Sequence, residues 1–202
     1  MEYKMVRLLM NERLAVRAKS AIAFTFALLV FVWVSSALLL PPGAMHFNAG
    51  IWLGDLSLLS STLFIFVINL LFGVGGIILM NQWYIGRGLA AGYYILLLRS
   101  SVFHGILRGT NSFSFPYASQ GENILGFFRV GMWETLALCL ICAATASLAR
   151  YPASSHKGFI SFYEVIRNPS SHLTKQALVL ILAGIALLMF SALMEALNIL
   201  FP

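Results

Sequence analysis

Residues 124–149 read ILGFFRVGMWETLALCLICAATASLA, an apolar run with a glutamate, Glu134, near its centre. The run is long enough to cross the hydrocarbon core of a bilayer, about 30 Å thick, as an α-helix. A charge at the centre of such a helix costs about 2.5–3.5 kcal/mol on insertion scales. The rest of the chain must therefore supply a group that stabilises Glu134.

The composition indicates that most of the chain lies in lipid. Of the 202 residues, 60% are hydrophobic and 10% are charged, whereas a soluble domain carries about 25% charged residues. The formal net charge of +6 fits basic loops that lie against anionic lipid head groups. The sequence has no stretch of interleaved basic and aromatic residues, so we expect no nucleic-acid partner.

Five apolar runs are predicted to form transmembrane helices. They build a single transmembrane domain, residues 20–202, which follows a basic amphipathic segment, residues 1–19, predicted to lie on the cytoplasmic membrane face. We therefore expect an all-α, polytopic membrane protein. Its predicted spans are residues 20–40, 56–80, 88–107, 124–149 and 177–201.

Lysine and arginine are distributed unequally between the two sides of the predicted spans. With the N-terminus inside, ten of the 13 basic residues lie on the inner side, and Arg108 alone lies outside. Arg99 and Arg129 fall within spans. Because inner loops are enriched in Lys and Arg, we predict a multi-pass protein of the cell membrane with its N-terminus inside and its C-terminus outside.

Depth along the helices predicts two interhelical ion pairs. Arg99 lies about 12 Å and Glu134 about 16 Å from the outer ends of their spans, at 1.5 Å per residue. Arg129 and Glu195 match in depth in the same way. We predict the pairs Arg99–Glu134 and Arg129–Glu195, and the alternative is that either glutamate is protonated. The same four residues are candidates for the lining of a proton or solute pathway.

Other residues in the spans are candidates for contacts between helices. Asn69 in the second span and His104 near the outer end of the third are predicted to form structural hydrogen bonds. The spacing of Cys139 and Cys142 occurs in redox and metal motifs, but we favour small residues at helical spacing. Glycine lets helix backbones approach closely in lipid, and the candidates are Gly73, Gly76, Gly88, Gly92, Gly105 and Gly109.

The inner loop, residues 150–176, contains an apolar pattern at helical spacing. Phe159, Phe162, Tyr163 and Ile166 recur at i, i+3, i+4 and i+7. This spacing predicts an interfacial amphipathic helix that ends before the following Asn-Pro step. The pattern fits a spacer that lies on lipid, and it also fits a docking element for a cytoplasmic partner.

Catalytic motifs are absent from the sequence. There is no G-x-S-x-G or H-E-x-x-H motif, and no two carboxylates stand at a catalytic spacing. We therefore expect neither enzymatic activity nor a cofactor or metal ion.

Three stretches resemble the stage II sporulation protein M family of integral membrane proteins: INLLFGVGGIILMNQWYIGRGLAAG, WETLALCLICAATASLA and LLMFSALMEALNILFP. The family's asparagine in an early glycine-rich span, its glutamate opening an Ala-rich span and its glutamate near the end of the last helix correspond to Asn69, Glu134 and Glu195. The likeness covers residues 60–202, and the family's Pro-His-Gly step before the internal glutamate is replaced by residues 130–133, VGMW. The resemblance implies a non-enzymatic membrane component, which in spore formers recruits peptidoglycan-degrading partners.

Three interpretations of function remain open at this point. The first is a membrane scaffold or accessory subunit that assembles with protein partners, or with copies of itself, through glycine-rich and charged helix faces. The second is a permease-type subunit of a transporter, with a cytoplasmic ATPase bound to the inner loop. The third is a subunit of a large respiratory or photosynthetic complex, although no pair of axial haem ligands is visible.

Overall fold

The computed structural model describes residues 2–45, 56–85, 89–113, 116–149, 151–156, 159–162 and 173–201. Helices dominate these parts of the chain. They are α1 (Glu2–Leu9), α2 (Leu14–Leu39), α3 (Leu58–Met80), α4 (residues 92–109), α5 (Gln120–Leu148) and α6 (Lys175–Leu200). A small sheet adds β1 (Trp83–Ile85), β2 (Leu89–Ala90), β3 (Tyr151–His156) and β4 (Phe159–Phe162).

The expected all-α membrane architecture is confirmed, with one difference in the number of apolar helices. Within the described residues, four helices are long enough and apolar enough to cross a bilayer, namely α2, α3, α5 and α6. The predicted third span corresponds to α4, which carries Arg99, His104 and Arg108. These three side chains lower the apolarity of α4, so the expected count of five apolar spans is corrected to four.

Helix α4 nevertheless runs beside α2. The hydroxyl of Ser101 donates to the Thr25 carbonyl at 2.8 Å, and the hydroxyl of Ser36 donates to the Gly105 carbonyl at 3.1 Å. In the same way, Gly105 packs against Val32, and Gly109, later in α4, packs against Ser36, later in α2. The two helices therefore run in the same direction.

Helix α5 runs in the direction opposite to its neighbours α2 and α6. Its Phe127 ring lies 5.7 Å from the ring of Trp33, late in α2. In α6 the Ser191 hydroxyl donates to the Val130 carbonyl at 3.1 Å. Gly184, which precedes Ser191 in α6, packs against Ile141, which follows Val130 in α5. Residues that are early in one helix therefore meet residues that are late in the other.

The core of the bundle is the C-terminal half of α5. Its side chains Leu138, Cys139, Ile141 and Cys142 have no exposed surface. Both cysteines are free thiols surrounded by apolar residues. Small and branched apolar side chains at this density let α2, α4 and α6 pack on α5 with little space between them.

The N-terminal segment ends earlier than the sequence pattern predicts. Helix α1 stops at Leu9, and α2 begins at Leu14 instead of residue 20, so Arg17 belongs to the long helix. The side chain of Asn11 accepts from the Arg13 amide at 2.9 Å, which forms the turn between the helices. Leu9 is 1% exposed, so the end of α1 is held in the bundle and does not only rest on the membrane face.

The predicted interfacial helix of the inner loop is wrong for its first half. Phe159 and Phe162 lie in β4, which pairs antiparallel with β3, and β3 in turn pairs parallel with β1. The strand order is β2-β1-β3-β4. The pairing of β4 with β3, which is itself paired with the distant β1, supplies backbone hydrogen bonds that override the local helical spacing. Tyr163, Ile166 and the candidate packing residue Gly88 lie outside the described residues.

Candidate intramembrane site

A polar cluster in the interior of the bundle has Arg99 of α4 at its centre. Its Nη2 atom donates to Glu134 Oε1 of α5 at 2.7 Å and to Asn69 Oδ1 of α3 at 2.6 Å. The exposed fraction of the side chain is 26% for Arg99 and 9% for Glu134. One guanidinium group therefore connects three helices, and the pair Arg99–Glu134 forms the contact predicted from depth.

Gly73 provides the space that the Arg99 guanidinium occupies. A Cβ atom at Gly73 would overlap Arg99 Nη1 and would lie 3.3 Å from a methyl carbon of Leu138. Nη1 itself is buried and has no hydrogen-bond partner. The absence of a side chain at Gly73 therefore leaves the space that the Arg99 guanidinium fills, and it also allows the close approach of α3.

Each helix that contributes to the cluster contains a widened, π-helical turn near it. These turns are Asn69–Gly75 in α3, Leu98–Phe103 in α4 and Phe127–Gly131 in α5. A π-turn accommodates an extra residue and rotates the side chains that follow it, and such turns are frequent at functional sites. In α3 and α4 the turn carries the polar residue itself, Asn69 and Arg99.

The second predicted ion pair, Arg129–Glu195, does not form among the described residues. Arg129 is exposed on the surface of the bundle. Glu195 instead interacts electrostatically with Glu134, Arg99 and Arg108. The Ser191–Val130 contact places Glu195, one turn beyond Ser191 in an antiparallel helix, about one helical turn from Arg129 along the bundle axis, so the predicted match in depth does not hold for this pair.

The geometry of α5 and α6 explains why the two glutamates converge. Side chains on a helix lean toward its N-terminus. Because α5 and α6 are antiparallel, Glu134 leans toward the level of Val130, one turn before it in α5, and Glu195 leans toward the level of Ser191, one turn before it in α6. Ser191 contacts the Val130 carbonyl, so the two carboxylates point toward the same level.

His104 of α4 lies at the edge of this cluster. It interacts electrostatically with Glu134, Arg99 and Arg108. Within the described part of the chain its ring makes no hydrogen bond, so the structural hydrogen bond predicted for it is not observed. Its position leaves a titratable group beside two guanidinium groups and a carboxylate.

Arg108, in the last turn of α4, is a site residue that the sequence interpretation placed in a loop. It is 7% exposed. Its Nη1 atom donates to Asn123 Oδ1 at 2.9 Å, and Asn123 Nδ2 donates back to the Arg108 carbonyl at 2.7 Å. The guanidinium carbon lies 5.5 Å, 5.3 Å and 4.9 Å from the ring centroids of Trp33, Phe113 and Phe127.

The rings around Arg108 add cation–π contacts to the electrostatic interaction of its guanidinium with Glu134 and Glu195. Cation–π contacts are worth up to about 2 kcal/mol each when they are desolvated. Three rings and a reciprocal amide therefore hold α4 to α2 and to the start of α5. The signal in the sequence is weak, because the aromatic partners come from residues far apart in the chain.

Asn81, just after α3, is a second residue that the sequence interpretation missed. It has no exposed surface. Its Nδ2 atom donates to Thr145 Oγ1 at 2.7 Å and to the Cys142 carbonyl at 3.1 Å. This contact joins the end of α3 to the C-terminal part of α5, at the end of the bundle opposite the Arg108 contact.

The predicted packing glycines differ in how tightly they are enclosed. A Cβ atom at Gly92 would overlap the Asn81 side chain, and one at Gly105 would lie 2.8 Å from Val32. At Gly109 it would overlap Ser36 and lie 2.6 Å from a backbone oxygen of α2. At Gly76 it would meet no atom within 4 Å, so Gly76 is not required for packing.

The chemistry of the cluster is that of charge compensation inside a bundle. Its charged groups are two guanidinium groups, Arg99 and Arg108, and two carboxylates, Glu134 and Glu195, so they can balance one another. The described residues contain no group of three or more His, Cys, Asp or Glu side chains placed to hold a metal ion.

No protein-family model, curated protein or solved structure matches this chain. The resemblance to the stage II sporulation protein M family therefore stays a prediction that depends on the quoted stretches.

Proposed function

We propose that this protein is a non-enzymatic scaffold or accessory subunit of a membrane complex. One observation carries the proposal: Arg99 is compensated inside the chain by Glu134 and Asn69, which come from two other helices. Ions that neutralise one another between neighbouring helices fix their arrangement and cost less than isolated charges in lipid. A rigid bundle of this kind presents constant outer faces to partners.

The outer faces of the bundle supply the contact surface for this role. Large apolar side chains are exposed on α2, α3 and α6, among them Phe31, Leu38, Phe72, Val179 and Leu182. Such faces contact lipid or the helices of another membrane protein. They support assembly with a protein partner or with copies of the chain itself.

We also infer that the chain crosses the cell membrane five times, with the N-terminus inside. The parallel contacts of α2 and α4 support this topology, because a helix that runs beside a spanning helix at the same depth also spans. The positive-inside distribution of Lys and Arg supports the orientation.

Labelling of single cysteines from each side of the membrane should distinguish five crossings from four. In a chain with Cys139→Ala and Cys142→Ala, five crossings place Gln120→Cys outside and Gln176→Cys inside. Four crossings, without α4, reverse both results. All three reporter positions, Gln120, Gln176 and the control Glu12, are exposed, and Glu12→Cys should be labelled from inside in either case.

Isolation of the tagged protein in a mild detergent, with identification of the proteins that accompany it, tests the scaffold proposal. We expect a stoichiometric membrane or cell-wall partner that withstands washing. A chain that elutes alone as a monomer, in detergent and in nanodiscs, would contradict the proposal. Extraction from cells that express an untagged copy is the control.

One observation favours the second function, a permease-type subunit with a cytoplasmic ATPase. Glu195 faces the cluster without an ion pair among the described residues, and Arg99 Nη1 is a buried donor atom without a hydrogen-bond partner. Unpaired ionisable groups inside a bundle are typical of ion and proton pathways. The same isolation experiment separates the two functions, because an ATPase partner with solute-stimulated hydrolysis would favour the permease.

A further inference from the structure

The described part of the chain contains three arginines inside the bundle, and two of them have identifiable compensation. Arg99 pairs with Glu134 at 2.7 Å. Arg108 is enclosed by aromatic rings and bonded to Asn123. The third, Arg17, has neither kind of partner.

Arg17 lies in the first turns of α2 and is 7% exposed. Its Nε atom is buried without a hydrogen-bond partner. The ionisable groups that interact with it electrostatically are Tyr93 and Cys142, both of which are neutral at pH 7. In the described residues, no carboxylate compensates its charge.

The surroundings of Arg17 suit an anion. Its side chain leans toward the N-terminus of α2, where the first turn contains no acidic residue and the Arg13 side chain forms no cap. The unsatisfied amides of a helix N-terminus attract anions. The hydroxyl of Tyr93 donates to the Leu9 carbonyl at 2.8 Å, which holds the end of α1 beside this turn.

The position of the site in the membrane favours a phosphate as the anion. The start of a spanning helix lies at the level of the lipid head groups. Exposed basic side chains surround this end of the bundle, namely Lys4, Arg7, Arg13 and Lys19. Basic clusters at the inner face attract anionic lipids, and the guanidinium fork matches the geometry of a phosphate group.

We propose that Arg17 and the first turn of α2 bind the phosphate of an anionic phospholipid of the inner leaflet. The lipid supplies the counter-charge that the described residues lack. The site lies at the junction of α1 and α2, so a bound head group fixes the angle between them.

The test uses the full chain in a neutral detergent, with measurement of its thermal unfolding midpoint. Addition of phosphatidylglycerol should raise the midpoint by several degrees, whereas phosphatidylcholine should not. Arg17→Gln should raise the apparent Kd for phosphatidylglycerol at least about tenfold, the effect of losing a charge-assisted contact. Arg17→Lys should keep part of the binding, and the control Arg129→Gln, at an exposed arginine away from this basic cluster, should keep all of it.

Two further arms decide between sources of the anion. Inorganic phosphate should not reproduce the shift; if it does so as well as the lipid, the site binds a free phosphate and the proposal is overturned. Glu164, which lies outside the described residues, is the rival counter-ion. The proposal would also be overturned if two results were found together. The wild-type chain would show no shift specific to phosphatidylglycerol, and Glu164→Gln and Arg17→Gln would destabilise the chain equally.

If Arg17→Gln fails to fold, native mass spectrometry of the wild type keeps the proposal testable. A bound phosphatidylglycerol that survives removal of the detergent supports the site, and its loss in Arg17→Lys locates it. Equal retention of phosphatidylglycerol and phosphatidylcholine would contradict it, because a guanidinium site that lacks an anion prefers the lipid with net negative charge.

Discussion

Glu134→Ala is expected to lower the free energy of unfolding by about 3–5 kcal/mol, the cost of breaking a buried ion pair by removing one partner. The substitution leaves the Arg99 guanidinium in the bundle with Asn69 as its remaining hydrogen-bond partner. Asn69 cannot supply the missing charge. Reversible unfolding of the purified chain in mixed micelles measures the change, and the amount of protein in membranes should fall with it.

The matched control is Glu12→Ala, because Glu12 is exposed in the turn between α1 and α2. Its removal should change stability by less than about 0.5 kcal/mol. A charge exchange tests the pair directly. Glu134→Arg should abolish accumulation, and the addition of Arg99→Glu should partly restore it. An unchanged stability of Glu134→Ala, or no restoration by the exchange, would count against the ion pair.

Gly109→Ala is expected to lower the free energy of unfolding by about 1–3 kcal/mol or more, the cost of forcing an extra methyl group into a well-packed contact. The new methyl group would lie 2.6 Å from the Trp33 carbonyl oxygen and 2.8 Å from the Ala37 amide nitrogen. These are backbone atoms of α2, so relief requires α2 and α4 to separate. The measurement is the same unfolding assay, with the distance between α2 and α4 monitored by spin labels.

Gly76→Ala is the matched control within a neighbouring helix. The added carbon meets nothing within 4 Å, and alanine favours a helix over glycine by about 0.5–1 kcal/mol. The control should therefore be neutral or stabilising. If Gly76→Ala and Gly109→Ala lowered the free energy of unfolding equally, the effect would come from replacing glycine in a helix and not from the contact between α2 and α4.

Axial position is the part of the site that could be predicted from the sequence. Each residue adds 1.5 Å along a helix, so counting places Arg99 and Glu134 at one level. Direction around the axis could not be predicted in the same way. The π-turn at Phe127–Gly131 changes the rotation of α5, and Arg129 faces outward while Glu195 faces the cluster.

Contacts between distant segments account for the other differences. The rings that enclose Arg108 come from α2, α5 and the loop between α4 and α5, and no local pattern relates them. The strands β1 and β3 pair across about a third of the 202-residue chain, with Trp83 opposite Tyr151. The helical spacing in 159–166 is a local signal, and β4 instead pairs with β3, which the distant β1 holds in place.

The compensation of Arg99 by a residue 35 positions later has a consequence for how the chain enters the membrane. During translation α4 reaches the translocon before Glu134 has emerged from the ribosome, and Arg99, near the middle of α4, opposes partitioning into lipid by about 2.5–3.5 kcal/mol. Helix α4 should therefore wait at the translocon until α5 emerges, and the two should enter the bilayer as a hairpin. In a chain whose ribosome is stalled between the two segments, a cysteine introduced into α4 should still react with a water-soluble thiol reagent.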